Sequence, residues 1–189
     1  MSGEAFADAE VRTGPEYEAA RTASRTQLAA AAGNRRVALG NDLVLVFETR
    51  ATVRAALEEV LRSERIGAPG EVASEAAAFS ALLAGPGQLA STLYVDVADP
   101  VALSERIGGL AGIADSIFLE VAGERVPGAA DATEASTGAF RLTFALDQDQ
   151  GRALAAGATV RVVSDHPRCR AEVTLGPEQV RAIAADLLA

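Results

Sequence analysis

Residues 36–47 read Arg-Val-Ala-Leu-Gly-Asn-Asp-Leu-Val-Leu-Val-Phe. Two runs, 36–39 and 43–47, flank Gly40-Asn41-Asp42, and these three residue types are typical of a tight turn. The stretch therefore predicts a β-hairpin. Because the second run is apolar at every position, it predicts a strand that is covered on both faces in the middle of a sheet.

Helical patterns lie on both sides of this hairpin. Residues 16–32 are rich in alanine and end at Gly33-Asn34, which predicts a helix. Thr49 is expected to cap a second helix that ends near residue 66, with Glu58 and Arg62 as an exposed ion pair one turn apart. Its buried stripe is expected to comprise Val53, Leu57, Val60 and Leu61. A third helix is predicted over residues 71–83.

The rest of the chain predicts one unit twice. Residues 91–126 show a strand, a helix that begins at Asp99-Pro100, and two more strands around Gly123-Glu124. Residues 139–189 show a strand, a helix with a capping box at Asp147 and Gln150, and two strands around Asp165-His166-Pro167. The shared order suggests an internal duplication of a strand-helix-strand-strand unit.

These elements predict an α+β fold with a mixed, mostly antiparallel sheet and helices packed on it. We expect a flexible N-terminal segment over residues 1–15 and a single domain over residues 16–189. Within that domain, residues 16–90 form a helix-hairpin-helix part. Residues 127–138 are small and acidic and predict a mobile loop, and a C-terminal helix is expected from Pro177.

Composition excludes several classes of function. The chain has 189 residues with 17 basic and 26 acidic side chains, a net charge of -9, and every basic residue is arginine. An acidic chain without a basic run is not expected to bind nucleic acid. The sequence contains no run of ~18 apolar residues, so no membrane span is predicted. A cytoplasmic location is expected. Without lysine, Schiff-base chemistry has no residue to use.

No cofactor or metal site is expected from the motifs. One cysteine and one histidine exclude an intrachain disulfide and a site that needs two imidazoles. Residues 108–112 are rich in glycine but lack the strand and helix of a nucleotide-binding motif. Asp96 and Glu120 could serve hydrolysis or bind a divalent cation if they converge, although solvated surface carboxylates are the simpler interpretation.

The first candidate site is Asp165-His166-Pro167. His166 could act as a general acid or base, with Asp165 or another carboxylate fixing its tautomer. Alternatively, both side chains only satisfy backbone groups in a turn. Cys169 follows on the inward face of an alternating strand, where a cysteine behaves as a small apolar residue rather than a nucleophile.

The second candidate site is a set of charged residues around the hairpin and the following helix. An arginine fork in this set could hold a carboxylate or phosphate, or the set could be a structural ion-pair network. We call it the Arg/Glu set. Its members are Arg35, Arg36, Glu48, Arg50, Arg62, Glu64 and Arg65.

Several separated motifs together resemble one protein family. They occupy residues 34–40, 43–50, 61–66, 91–94, 119–127 and 165–167, and they are similar to the bacterial family known as domain of unknown function 3501 (DUF3501). The resemblance implies a protein without an established activity. It also implies a redox or peroxide-stress setting, since relatives are associated with genes for rubrerythrin-like and iron-sulfur proteins. Relatives often carry a second histidine or a tyrosine near the turn, where this chain has Arg168 and Cys169.

Two functions remain open from the sequence, and whether the protein is an enzyme is not decided. The first is a non-catalytic accessory or interaction protein whose partner is a redox protein, an iron-sulfur protein or another copy of the chain. The second is a small-molecule enzyme or anion binder that combines the Arg/Glu set with Asp165 and His166.

Overall fold

The computed structural model describes residues 5–7, 10–130 and 138–187, and these contain helices and strands in alternation. The α-helices are α1 (Gly14–Ala32), α2 (Arg50–Ser63), α3 (Pro69–Ser80), α4 (Pro100–Gly109), α5 (Gln148–Ala155) and α6 (Pro177–Asp186). The strands are β1 (Arg36–Leu39), β2 (Leu43–Phe47), β3 (Gln88–Val95), β4 (Ile117–Val121), β5 (Glu124–Ala130), β6 (Ala139–Ala145), β7 (Val160–His166) and β8 (Cys169–Thr174). The predicted α+β class is confirmed. The expected mobile loop over residues 127–138 is wrong for residues 127–130, which belong to β5, and its residues 131–137 lie outside the described residues.

The strands form one sheet in the order β1-β2-β3-β6-β5-β4-β7-β8. Every described strand pair is antiparallel. The expectation of a mostly antiparallel sheet is therefore confirmed, whereas the expectation that it also contains parallel pairs is wrong. The sheet is nearly closed. Its end strands are β1 and β8, and Sγ of Cys169 on β8 lies 3.9 Å from the carbonyl oxygen of Leu39 on β1. Gln179 of α6 donates to the carbonyl of Arg36 on β1 at 3.0 Å.

The predicted order of elements occurs twice in succession, as β3-α4-β4-β5 and β6-α5-β7-β8, and the internal duplication itself stays a prediction. Asp99 and Asp147 cap the two helices by accepting hydrogen bonds from backbone N–H groups one turn ahead. Corresponding strands of the two runs lie side by side, because β3 pairs with β6 and β4 pairs with β7.

Contacts within the chain define two compact units. The first comprises Met1–Gly33 and Glu48–Pro86, and the second comprises Asn34–Phe47 and Gly87–Ala189. The boundaries expected from the sequence stay predictions, as does the flexibility of residues 1–15. Among the described residues of that segment, Phe6 and Val11 are buried in the first unit's apolar cluster.

The core of the second unit lies on the inner face of the sheet. Apolar side chains alternate along the strands, and Phe47 of β2 packs against Phe144 of β6 with ring centroids 6.4 Å apart. Leu110, at the end of α4, and Leu154 of α5 are buried in the same cluster. As predicted from residues 43–47, β2 is buried along nearly its whole length, but it is the second of the eight described strands rather than in the middle of the sheet.

The tight turn between β4 and β5 provides a test of backbone strain. Ala122 and Gly123 form a two-residue loop with φ values of 52° and 89°, as a type I′ turn requires. Alanine in the left-handed region costs about 1 kcal/mol. We expect Ala122→Asn to raise Tm by about 2–4 °C, measured by thermal unfolding. The same substitution at the exposed strand residue Ala129 should not raise Tm, and equal effects at both positions would contradict this explanation.

Candidate functional site

His166 is the last residue of β7 and is buried, with 6% of its surface exposed. Its Nε2 lies 3.1 Å from the carbonyl oxygen of Ala111, and its Nδ1 accepts a hydrogen bond from the N–H of Arg168 at 3.3 Å. A carbonyl can only accept and an N–H can only donate, so this arrangement selects the tautomer with the proton on Nε2. Backbone groups therefore engage both ring nitrogens.

The β7–β8 hairpin packs against the end of α4. Pro167 and Arg168 form the two-residue loop of this hairpin. The guanidinium of Arg168 packs against Gly109, where a Cβ on residue 109 would lie only 3.1 Å from Cζ of Arg168. Cationic donors suit a helix C-terminus, where the last carbonyls carry partial negative charge. The glycine-rich residues 108–112 thus form part of a structural contact with the hairpin.

Asp165 lies on the opposite face of β7 from His166, because successive strand residues point to opposite sides. It is exposed, and it accepts a hydrogen bond from Arg125 of β5 at 2.5 Å. The expectation that Asp165 fixes the tautomer of His166 is wrong for this geometry. Asp165 and His166 are adjacent in sequence, and within a strand this adjacency is the signal that places their side chains on opposite faces.

Cys169 is the direct cross-strand neighbour of His166. It is half-buried on the inward face, as predicted, and its Sγ lies 3.9 Å from the carbonyl oxygen of Leu39. The buried Ser164 donates a hydrogen bond to the carbonyl of Cys169 at 2.6 Å. These contacts are those of residues that pack the end of the sheet.

A charged network on the outer face of β5, β4, β7 and β8 was not anticipated as a unit. We call this surface the ladder face. Glu120 of β4 lies between Arg125 and Arg161 and is paired with both, at 3.8 Å from Nε of Arg125. Arg161 also binds Glu172 of β8, and these two hydrogen bonds raise its pKa. The guanidinium of Arg125 lies over the ring of Phe118, 5.2 Å from its centroid.

Asp96 and Glu120 take part in separate ion pairs, since Asp96 binds Arg36 at 3.2 Å. Among residues 5–7, 10–130 and 138–187, no three His, Cys, Asp or Glu side chains are grouped to hold a metal ion.

The structure distributes the Arg/Glu set over both compact units. In the second unit, Arg35 binds Asp186 at 2.5 Å and the carbonyl of Ala182, which ties the chain before β1 to α6. Arg36 forms the exposed pair with Asp96. The remaining members belong to the first unit.

In the first unit, Glu48 accepts a hydrogen bond from Thr52 at 2.6 Å, and Arg50 binds Glu10 at 2.6 Å. Arg62 binds Glu59 at 2.9 Å. Glu64 and Arg65 are exposed in the turn that ends α2, with Arg65 at a φ of 58°. Most of this set thus serves ion pairs or helix ends, and its role in ligand binding stays a prediction.

Glu58 is the buried charge that the sequence analysis missed. Its side chain is fully buried, and Arg12 donates three hydrogen bonds to it, from the backbone N at 3.0 Å, Nε at 2.9 Å and Nη2 at 2.8 Å. These hydrogen bonds raise the pKa of Arg12. The expected exposed pair between Glu58 and Arg62 is wrong, because Arg62 binds Glu59 instead. The only sequence signal was that Glu58 borders the apolar stripe, three residues before Leu61.

Glu59 is the centre of a second network in the first unit. Hydrogen bonds lower the pKa of its carboxyl to about 2, and the largest contribution comes from Arg21, followed by Arg62 and Tyr17. Burial, together with the hydrogen bond to Glu59, raises the pKa of the Tyr17 phenol. The two networks connect α1 and the residues before it with α2.

The family of the chain is decided by a match over nearly its whole length. The family model described as protein of unknown function (DUF3501) matches residues 7–187. The chain belongs to the DUF3501 family. This confirms the family resemblance found in the sequence.

A solved structure has the same fold. It is a crystal structure of a novel protein of unknown function from Burkholderia pseudomallei, 26% identical in sequence, with a TM-score of 0.91. The similarity covers 97% of this chain and all of the other. No curated protein sequence matches the chain significantly. Within the described residues, no helix is both long enough and apolar enough to cross a membrane.

The buried ion pair can be tested by removing one partner. Arg12→Ala leaves the Glu58 carboxylate buried without its guanidinium, and we expect a loss of about 3 kcal/mol in the free energy of unfolding, measured with urea. Arg62→Ala removes an exposed pair from the same helix and should cost less than about 1 kcal/mol. Similar losses in the two variants would show that Glu58 is not the special case described here.

The Glu59 network predicts how stability depends on pH. Its pKa is lowered from 4.5 to about 2 in the folded chain, so its contribution is present above pH 4.5 and is lost as pH falls toward 2. Glu59→Gln should therefore destabilise the chain clearly at pH 6 and much less at pH 2.5, measured by urea unfolding. Glu64→Gln, at the end of the same helix, is the control. A Glu59→Gln effect of the same size at both pH values would count against this network.

Proposed function

We propose that this DUF3501 protein is a non-catalytic interaction protein. The engagement of both His166 nitrogens by backbone groups supports this most directly, because a general acid or base needs a nitrogen within reach of its substrate. The alternative function, a small-molecule enzyme or anion binder, would require His166 to release Ala111 or Arg168. It would also require Arg50 and Asp165 to exchange their present ion partners.

The ladder face is the surface that we propose for the partner. It presents Arg125 and Arg161, and the guanidinium of Arg125 lies over the half-buried ring of Phe118. Arginine and aromatic side chains are enriched at protein interfaces because they contribute large contact areas together with directional hydrogen bonds. The internal carboxylates hold both guanidinium groups in place before binding, so less side-chain freedom is lost on association.

The chemical class proposed for the partner is a protein. A redox or iron-sulfur protein is the partner class that the family resemblance implies, and a second copy of the chain is the other. The proposal includes the cytoplasmic location expected from the composition. No part of it requires a cofactor bound to this chain.

The proposal predicts that one charge reversal on the ladder face disrupts partner recovery. Affinity purification from the native host would compare the wild-type chain with Arg125→Glu, and we expect the variant to recover at least about tenfold less of a stable partner. Arg152→Glu is the matched control, since Arg152 is exposed and pairs with Asp149 three residues away. Thermal unfolding would establish that both variants are folded.

Two outcomes would contradict the proposed function. The wild-type chain could recover no stable partner and remain monomeric by light scattering. Alternatively, Arg125→Glu and Arg152→Glu could recover the same partner equally well, which would exclude the ladder face as the binding surface.

A further inference from the structure

We infer that the surface of α2 and α3 that holds residues 5–7 and 10–12 is a peptide-binding site, which a second copy of the chain can fill with the same part of its own N-terminal segment. We call the described part of that segment, residues 5–7 and 10–12, the N-terminal strap. This inference rests on the proposed function, because it names another copy as a partner, but it uses a different surface.

An aromatic anchor holds the beginning of the strap. Phe6 is buried in the apolar cluster to which Val53 and Leu57 contribute, and only 7% of its surface is exposed. Its N–H donates to the hydroxyl of Ser80 on α3 at 2.9 Å. The guanidinium of Arg50 lies over its ring, 4.5 Å from the centroid. A buried aromatic residue with its backbone also bound is typical of a peptide anchor.

Two ion pairs of opposite polarity hold the end of the strap. The carboxylate of Glu10 accepts two hydrogen bonds from Arg50, at 3.1 and 2.6 Å. Two residues later, the guanidinium of Arg12 binds the buried Glu58. An acid that faces a base and a base that faces an acid fix both the direction and the register of the bound segment. Helices α2 and α3 therefore recognise a specific sequence, with Phe6 four residues before Glu10.

The connection between the strap and α1 is short and contains a natural hinge. Gly14 has a φ of 51°, and nothing lies within 4 Å of the position that a Cβ would occupy. Thr13 before it is extended, and Pro15 fixes the first turn of α1. The strap's contacts with α2 and α3 do not depend on which copy supplies it. Exchange of an identical segment between copies thus preserves these contacts, which makes it a low-cost route to a dimer.

In the wild-type chain, the chain's own strap competes with the strap of a second copy for the same site, and its covalent link to that site favours it. Such a link corresponds to an effective concentration on the order of millimolar. The exchange is therefore best revealed by two complementary full-length variants. The strap variant, Phe6→Ala with Glu10→Gln, keeps the site but weakens its segment. The site variant, Arg50→Gln with Ser80→Ala, keeps the segment but weakens its site.

The two variants would be measured alone and as an equimolar mixture by size-exclusion chromatography with light scattering. We expect the mixture to contain at least about tenfold more two-chain species than either variant alone. A mixture that contains no more than the separate variants, with both showing wild-type circular dichroism, would overturn the inference. The Arg152→Glu chain mixed with the strap variant is the control for non-specific association.

A second measurement covers the case in which the double variants do not fold. A fluorescent peptide with the sequence of residues 1–13 would be titrated with the wild-type chain and with the single variant Glu10→Gln. We expect the variant to bind the peptide at least about tenfold more tightly, because its own strap competes less. Equal or undetectable binding would overturn the inference. Neither result depends on Arg125, so failure here is distinguishable from failure at the ladder face.

Discussion

A polar side chain that is buried away from water must form hydrogen bonds or ion pairs within the protein. In this protein, the imidazole and the buried carboxylates that could have served catalysis are used for such contacts. The imidazole of His166 is satisfied by one carbonyl and one N–H. The carboxylate of Glu58 is satisfied by three donors of a single arginine. Glu120 lies between two guanidinium groups. Each of these arrangements stabilises a junction between elements, and none leaves a buried group waiting for a substrate.

The same contacts explain how the second unit is assembled. The β7–β8 hairpin contacts the end of α4 through His166 and Arg168, so the last hairpin of the chain holds a helix that lies more than 50 residues earlier in the sequence. The β1–β2 hairpin extends the sheet beyond β3, and Gln179 covers a free carbonyl at its edge. A strand edge that is capped by a side chain is protected from pairing with other chains. The association proposed above therefore uses the charged outer face of the sheet and does not require an open strand edge.

Local signals in the sequence predicted local structure well. The hairpin of residues 36–47 and the caps at Asp99 and Asp147 need only a few neighbouring residues to form, and all were predicted. The partner of Glu58 lies 46 residues away in sequence, and no pattern in α2 identifies Arg12. The ladder face depends on the register of four strands, which the sequence does not specify. For the Arg/Glu set, the residue types could be read from the sequence, but the ion pairs that use most of their charges within the chain could not.

The imidazole of His166 offers the most direct test of this view, because it is the only one in the chain. A long-range proton-nitrogen NMR spectrum at neutral pH reports which ring nitrogen carries the proton and whether the two forms interconvert. A structural role predicts one set of signals with the proton fixed on Nε2 and protected from rapid exchange with solvent. A spectrum in which the tautomers average and the ring proton exchanges rapidly would contradict it, and would make His166 available for catalysis.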